Sequence, residues 1–333
     1  MTILVSGATG FIGSVITRHL LDAGHAVRAM SRSIAQALPK SLDNEIGRRA
    51  LAEGRLTFVQ ADVTRPDGLP GAVRGVEAVI QAVQFTGAPI EDPRRGLTYA
   101  AVDRDGTLNL LNALASVYGA PTAEPSSTRF PAGSPRFIYV SGITVSAEAT
   151  EPWNRAKWQA EEAIRGSGLD WTLVRCCWAY GPRDTALNRI LGYSDYLPFV
   201  PIFGRGDDLL TPVFIEDVGH LFTLIVGDAG RSGDKTFRLG GPDEVTLAAF
   251  IKLALETRGR RRPVLHIPKA LGKLQGALMQ YLPGRPLTPD AVDFLTQAGA
   301  VTEADRDHLT KHFPGFETTP LRVGLATYMP GTR

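Results

Sequence analysis

Apolar residues along this chain fall in short unbroken runs separated by stretches with helical spacing. Thr2 to Ser6 reads as a strand buried on both faces, and from Phe11 the apolar positions Phe11, Ile12, Val15, Ile16, Leu20 and Leu21 recur at helical spacing as far as Gly24. Further runs at His25–Met30, Leu56–Gln60, Ala78–Val83, Phe137–Ser141 and Trp171–Arg175 predict buried strands, with helices at Tyr99–Tyr118 and Arg155–Arg165 between them. Strands apolar on both faces need cover on both, so the rhythm predicts an α/β fold with a doubly wound parallel sheet. Beyond Gly181-Pro182 the rhythm loosens into proline-rich loops around Pro198 to Pro212, a helix from Asp217 to Val226, a strand near Thr236 to Leu239 and helical stretches after Thr246. The expected division is a sheet domain over 1–180 and a smaller mixed C-terminal lobe over 181–333, partly interleaved with the sheet. Between Gly119 and Arg136 the prolines and small polar residues predict a mobile surface insert. Leu271, Leu274, Leu278 and Leu282 share one side of a helical stretch, which is expected to pack on the small lobe. A partner or membrane-surface contact is the alternative for that stretch, whose own basic residues are few.

Composition narrows the classes. With 333 residues, 44% hydrophobic content and a net charge of +2, the chain can bury a large core and lacks the charge balance of a nucleic-acid protein. No apolar run reaches a membrane span and no cleavable basic-then-apolar leader opens the chain, so a cytoplasmic protein without a transmembrane segment is expected. Cys176 and Cys177 are adjacent in a predicted strand, where they point to opposite faces; they read as small core residues rather than as a disulfide or metal site. The basic run Arg258-Gly259-Arg260-Arg261-Arg262 is expected to be a solvated helix end, contact with acidic lipid or nucleic acid being the alternative, and Asp217 a helix cap. Glu216 and His220 have a spacing a metal could use but no second ligand pair, so no metal is expected.

The first strand runs into Gly7-Ala8-Thr9-Gly10-Phe11-Ile12-Gly13 and then a helix. Gly7 permits a tight turn, Gly10 lets backbone approach a phosphate, and Gly13 lets the helix lie close to the sheet. The first helical turn then aims unpaired N–H groups and a positive dipole end at an anion, so this strand–turn–helix implies binding of a dinucleotide pyrophosphate. After the second strand the chain reads Met30-Ser31-Arg32-Ser33, with no acidic residue to hold an NAD ribose. Arg32 suits a 2′-phosphate, so NADP is expected in preference to NAD, the alternative being a solvated loop charge.

The glycine turn resembles that of the extended and atypical short-chain dehydrogenase/reductases, a superfamily of NAD(P)-binding Rossmann-fold proteins, and further matches cover most of the chain. They include Asp62-Val63 after the third strand, Ala179-Tyr180-Gly181-Pro182, Pro212 to Val218 and Arg238 to Pro242. Gly168 to Arg175 with Pro286-Leu287-Thr288 is similar to the atypical branch that holds the Rossmann-type accessory subunit of respiratory complex I and its bacterial relatives. The resemblance implies cofactor contacts from Gly7, Thr9, Gly10, Phe11, Ile12, Gly13, Asp62, Val63 and Lys157, with Asp62 alternatively a simple turn residue. It also implies a catalytic serine, tyrosine and lysine, for which Ser141 and the Trp153-Asn154-Arg155-Ala156-Lys157 segment supply the spacing of a YxxxK motif. Trp153 stands where the tyrosine belongs, and indole N–H is a donor only, so the usual proton relay is missing. Ser141 could bond a substrate carbonyl or merely cap its strand.

Two functions follow as expectations. One is an NADP-dependent binding, sensing or redox-complex accessory protein, with a protein partner through its C-terminal lobe. The other is an NADP-dependent oxidoreductase or epimerase acting on a small carbonyl, sugar-nucleotide or quinone-like ligand, with a replacement proton donor such as Tyr193 or Tyr180, although the Tyr180-Gly181-Pro182 turn reads as structural.

Overall fold

The computed structural model describes residues 1–33, 38–85, 91–119, 130–281, 288–289, 292–293, 296 and 299–329. In chain order the first half gives β1 (Thr2–Ser6), α1 (Phe11–Asp22), β2 (Ala26–Ser31), α2 (Glu45–Ala52), β3 (Leu56–Gln60), α3 (Leu69–Val73), β4 (Ala78–Gln81), α4 (Asp105–Tyr118), β5 (Arg136–Gly142), α5 (Pro152–Arg165) and β6 (Trp171–Cys176). The second half adds β7 (Ala179–Tyr180), α6 (Thr185–Tyr196), β8 (Val200–Phe203), β9 (Leu209–Leu210), β10 (Val213–Phe214), α7 (Ile215–Gly227), α8 (Ala229–Ser232), β11 (Lys235–Leu239), β12 (Val245–Thr246), α9 (Leu247–Thr257), β13 (Val264–Ile267) and α10 (Lys269–Met279). Helices Glu303–His312 and Leu321–Tyr328 close the described chain.

Seven strands form one parallel sheet in the order β11-β6-β5-β4-β1-β2-β3. From β1 the chain winds outward first to β2 and β3, then returns to β4 on the other side. The reversal therefore falls at the carboxyl end of β1, the crevice where doubly wound sheets hold ligands. Alternation within β1 divides the core: Ile3 and Val5 join one apolar cluster, which also holds residues of α1, α7 and α9, whereas Leu4 joins another with residues of α3, α4 and α5.

Close backbone approach fixes the helices. Gly219 of α7 lies under the ring of His19 of α1, and Glu216 holds both Arg18 and His19, so the two helices lock on one face. This engages the carboxylate that a metal pair with His220 would need. Among the described residues no acidic, His or Cys cluster could hold a metal, and no helix is long and apolar enough to cross a membrane.

β11 comes from the C-terminal half yet extends the main sheet beside β6. Buried Arg136 of β5 ties this edge together, binding Asp170, the carbonyl of Ile225 in α7 and the hydroxyls of Thr172 and Ser232. Small two-stranded pairings, β10 with β7, β12 with β9 and β13 with β8, build the remainder.

Several expectations change. Asp217 sits inside the first turn of α7 rather than at its cap, and its carboxylate accepts from the Thr319 amide and hydroxyl, fastening the C-terminal segment. Arg258 and Arg260 are not merely solvated, because both reach Asp195 of α6. Burial raises the Cys176 thiol to about 12, and Cys177 meets the Thr211 hydroxyl, so both cysteines are reduced core residues. Of the expected insert, residues 120–129 lie outside the described residues, as do Leu282, Pro286 and Leu287.

The helix carrying the leucine stripe departs most from expectation. In α10 only Gly272 and Gly276 are buried, their Cα atoms set close to Phe203 and to the Thr288 backbone. Leu271, Leu274 and Leu278 lie on the opposite side, 54%, 60% and 69% exposed. Glycines allow the tightest seat on the lobe, and the stripe faces outward as a result.

Candidate functional site: an anion cradle beside a closed motif

At the end of β1 Gly7 takes φ +71°, where a Cβ would stand 2.9 Å from the Ala82 carbonyl oxygen. Its carbonyl accepts from the Gly10 amide at 2.9 Å, closing the turn. A Cβ on Gly13 would strike the Gly7 carbonyl, so helix and turn touch only because that position is glycine. Gly10, at the N-cap of α1, is exposed; no side chain caps the helix, and its first turn carries no acidic residue. The amides of Phe11, Ile12 and Gly13 and the positive helix end are thereby directed to the crevice.

Arg183 adds a charge that the sequence reading overlooked. Asp184 caps α6 by accepting from the Ala186 and Leu187 amides and holds Trp178 Nε1 as well, which fixes the approach of the preceding residue. From there Arg183 donates to Ser14 Oγ at 2.9 Å and to the Thr9 carbonyl at 3.1 Å. No ion pair engages its guanidinium among the described residues. A helix N-terminus and an uncompensated guanidinium on one turn make a cradle for an anion, and they fit the pyrophosphate of a dinucleotide. A signal was present in the sequence: Arg183 follows the Gly181-Pro182 turn and precedes a capping Asp, but sequence alone does not aim it across to residue 9.

The residues expected to meet the adenosine lie just past the ends of β2 and β3. Arg32 is exposed just past β2, its carbonyl held by Gln60 Nε2 at 3.1 Å. Asp62 forms a turn, its Oδ1 accepting from the amide and hydroxyl of Thr64, while the Val63 carbonyl accepts from Asn109 and the Val63 side chain abuts Gly106.

The motif residues point inward. Trp153 is 5% exposed and tilts against Tyr99 at 6.1 Å between ring centres, with Phe85 stacked edge-on behind Tyr99. Lys157 is buried, with its ammonium 3.0 Å from Asp103 Oδ1 and over the Tyr139 ring at 5.3 Å. A π-helical turn at Ala100–Arg104, ahead of α4, brings Asp103 to this position, and its other oxygen accepts from the Phe85 amide. Burial pulls the Lys157 pKa down, yet Tyr139 and Asp103 outweigh it and hold the ammonium above its ordinary range. Burial pushes the Tyr139 phenol up to about 12, the Lys157 charge opposing. From the Asp103 main-chain carbonyl, which accepts from the Thr107 hydroxyl, a polar chain continues through Gln81 to Ser6, immediately before Gly7.

Ser141, next to last in β5, donates its hydroxyl to Glu161 Oε1 at 2.6 Å. Glu161 is fully buried and also binds Arg165 and Arg175, whose guanidinium groups stack on the Trp158 ring. Tyr180 is fully buried against Phe214 and Phe250, with Gly324 close on its hydroxyl, and burial raises its pKa strongly. It is a core residue, not a cleft proton donor. Tyr193 lies on α6 and is 41% exposed.

The profile of a family described as NAD(P)H-binding matches residues 7–194, more than half of the chain. Among curated relatives, the mitochondrial NADH dehydrogenase [ubiquinone] 1 alpha subcomplex subunit 9 of Arabidopsis thaliana is 24% identical over 302 residues, covering 90% of this chain and 69% of that protein. The uncharacterized UDP-glucose epimerase YtcB of Bacillus subtilis is 26% identical, covering 82% of this chain and 87% of its own. The dTDP-glucose 4,6-dehydratase of Bacillus anthracis, solved with NAD, superposes with a TM-score of 0.69 at 14% identity, covering 99% of this chain and 95% of that one. At that identity the likeness shows the fold alone. The glycine turn, the strand order and the matched span agree, and the chain belongs to the NAD(P)H-binding family, as a Rossmann-fold protein of the extended and atypical short-chain dehydrogenase/reductase type.

Proposed function

We propose that this protein binds NADP in the cradle between the glycine turn and Arg183, and acts through the bound state, as a sensing or redox-complex accessory protein, rather than by turnover. The observation that carries this reading is the closure of the motif: Trp153 is packed on Tyr99, Lys157 is ion-paired with Asp103, and Ser141 is engaged by Glu161. General acid/base catalysis is worth about 10²–10⁴-fold, and in this arrangement the usual groups for it are absent or occupied. Gly7, Gly10 and Gly13 with the amides of Phe11 and Ile12 would hold the pyrophosphate, Thr9 would hold Arg183 on it, and Asp62 and Val63 would line the adenine. Arg32 would pair with the 2′-phosphate, where a charge-assisted bond is worth about 1.5–3 kcal/mol and favours NADP over NAD. When bound, the nicotinamide supplies a hydride donor or acceptor. Lys157 supports this state by fixing Asp103 and, through the polar chain, Ser6 beneath the turn. The similarity to a subunit named for a respiratory NADH dehydrogenase supports an accessory role.

Calorimetric titration with NADPH and NADH, run beside a turnover assay over carbonyl and quinone substrates, tests the reading. Tight NADPH binding, weaker NADH binding and no cofactor oxidation are expected; brisk oxidation refutes it. One observation favours the second reading, an oxidoreductase or epimerase: the Tyr193 side chain is exposed on α6 and free of the core. Under that reading, oxidation is present and is lost in Tyr193→Phe.

A further inference from the structure

On the premise that the cradle holds NADP, we propose that the chain recognises only the phosphorylated adenosine half of that molecule and is blind to its nicotinamide, so that the oxidised and reduced forms are equivalent ligands. In a doubly wound sheet the two halves of a dinucleotide lie on the two sides of the switch point. Here one side belongs to β2 and β3 and the other to β4, β5 and β6. The chain equips them unequally. On the first side the groups stand open: Gly10 and Arg183 are exposed at the cradle, Arg32 is exposed past β2, and among the described residues no carboxylate pairs with either guanidinium.

On the second side the groups are engaged. Ser141 donates to the fully buried Glu161, Thr144 donates to Asn154, and the Lys157 ammonium sits on Asp103. Swinging Lys157 out to a ribose hydroxyl would leave the Asp103 charge alone in the interior in exchange for one hydrogen bond, and that exchange is unfavourable. Past the carboxyl ends of β5 and β6 the chain also covers itself. Ile143, Cys177 and Val301 pack together, Gly299 lies against Ile143 and Thr144, and Arg238 donates to the Ile143 carbonyl. The nicotinamide riboside thus gains no directed bond from Ser141, Thr144 or Lys157, while the adenosine phosphates meet a helix end and two guanidinium groups. A sensor built this way reports how much of the nucleotide is present and not how much of it is reduced.

Calorimetric titration of the protein with NADPH, NADP⁺, 2′-phospho-ADP and nicotinamide mononucleotide tests this. NADPH and NADP⁺ are expected to agree within about threefold and to bind no more than about threefold tighter than 2′-phospho-ADP, which lacks the nicotinamide riboside; that margin is the size of a single weak hydrogen bond. Nicotinamide mononucleotide should give no binding heat. The emission of the reduced nicotinamide should keep its wavelength when NADPH saturates the protein, because the ring stays in water. A difference beyond about threefold between the oxidised and reduced forms, or a preference of that size for NADPH over 2′-phospho-ADP, overturns the proposal and leaves NADP binding in the cradle standing. So does a blue shift of the bound NADPH emission. Failure of NADPH and 2′-phospho-ADP alike to bind takes down both.

Discussion

Single side chains separate two jobs that the sequence pattern merges. Arg183 faces the anion cradle and, among the described residues, makes only neutral hydrogen bonds. Replacing it, as Arg183→Gln, should weaken NADPH binding about 10–100-fold with little change in unfolding free energy, measured by calorimetry and urea titration. Lys157 is the opposite case. Its charge neutralises a buried carboxylate, and Lys157→Met should cost about 3–5 kcal/mol of stability in the same urea titration, because Asp103 is left alone inside. The motif spacing made Lys157 legible as a site residue, but the partner that occupies it lies 54 residues earlier in a π-helical turn, and no spacing rule connects the two. Ser141 illustrates the same limit: a strand-end serine has two uses, and which one holds depends on Glu161, twenty residues on.

At the scale of elements, the strands were the most legible part. β1 and β3 match their expected ranges, and the other main-sheet strands shift by one or two residues at one or both ends, because a strand buried on both faces leaves an unbroken apolar run. The glycine turn was legible too, and its three glycines differ in what they do. Gly13→Ala should separate α1 from the turn and destabilise the fold by about 1–3 kcal/mol, since the added methyl meets backbone. Gly10→Ala, exposed and with its added methyl 3.1 Å from the Gly7 carbonyl oxygen, should lower the melt less than Gly13→Ala while lowering NADPH affinity; thermal unfolding beside calorimetry distinguishes the pair. α10 was read the wrong way round. Its apolar stripe has the periodicity of a core-facing helix, and periodicity cannot tell which side a pair of glycines will seat.

Across the whole molecule, buried groups share a response to alkali, and Cys176, Tyr139 and Lys157 illustrate it. Cys176, Tyr139 and Lys157 each hold a proton in the folded chain to higher pH than in the unfolded chain, with Cys176 and Tyr139 raised to about 12. Unfolding releases those protons once the ordinary ranges are passed, so stability is intact below about pH 9 and falls as pH rises toward 12, on the order of 3 kcal/mol for each of Cys176 and Tyr139. Urea midpoints taken through that range should fall steadily, and less steeply in Cys176→Ala. The seven-stranded parallel sheet was legible in class but not in its edge. Nothing local in Lys235–Leu239 tells that it joins β6, three helices and several short strands after the main rhythm ends. That late strand has a consequence during synthesis. While the ribosome is still making residues 177–239, β6 is a bare margin whose amides and carbonyls await a mate, and the nascent chain carries this adhesive border until Leu239 emerges. A pause or truncation in that interval releases a species prone to aggregate, although its nucleotide turn has long been translated.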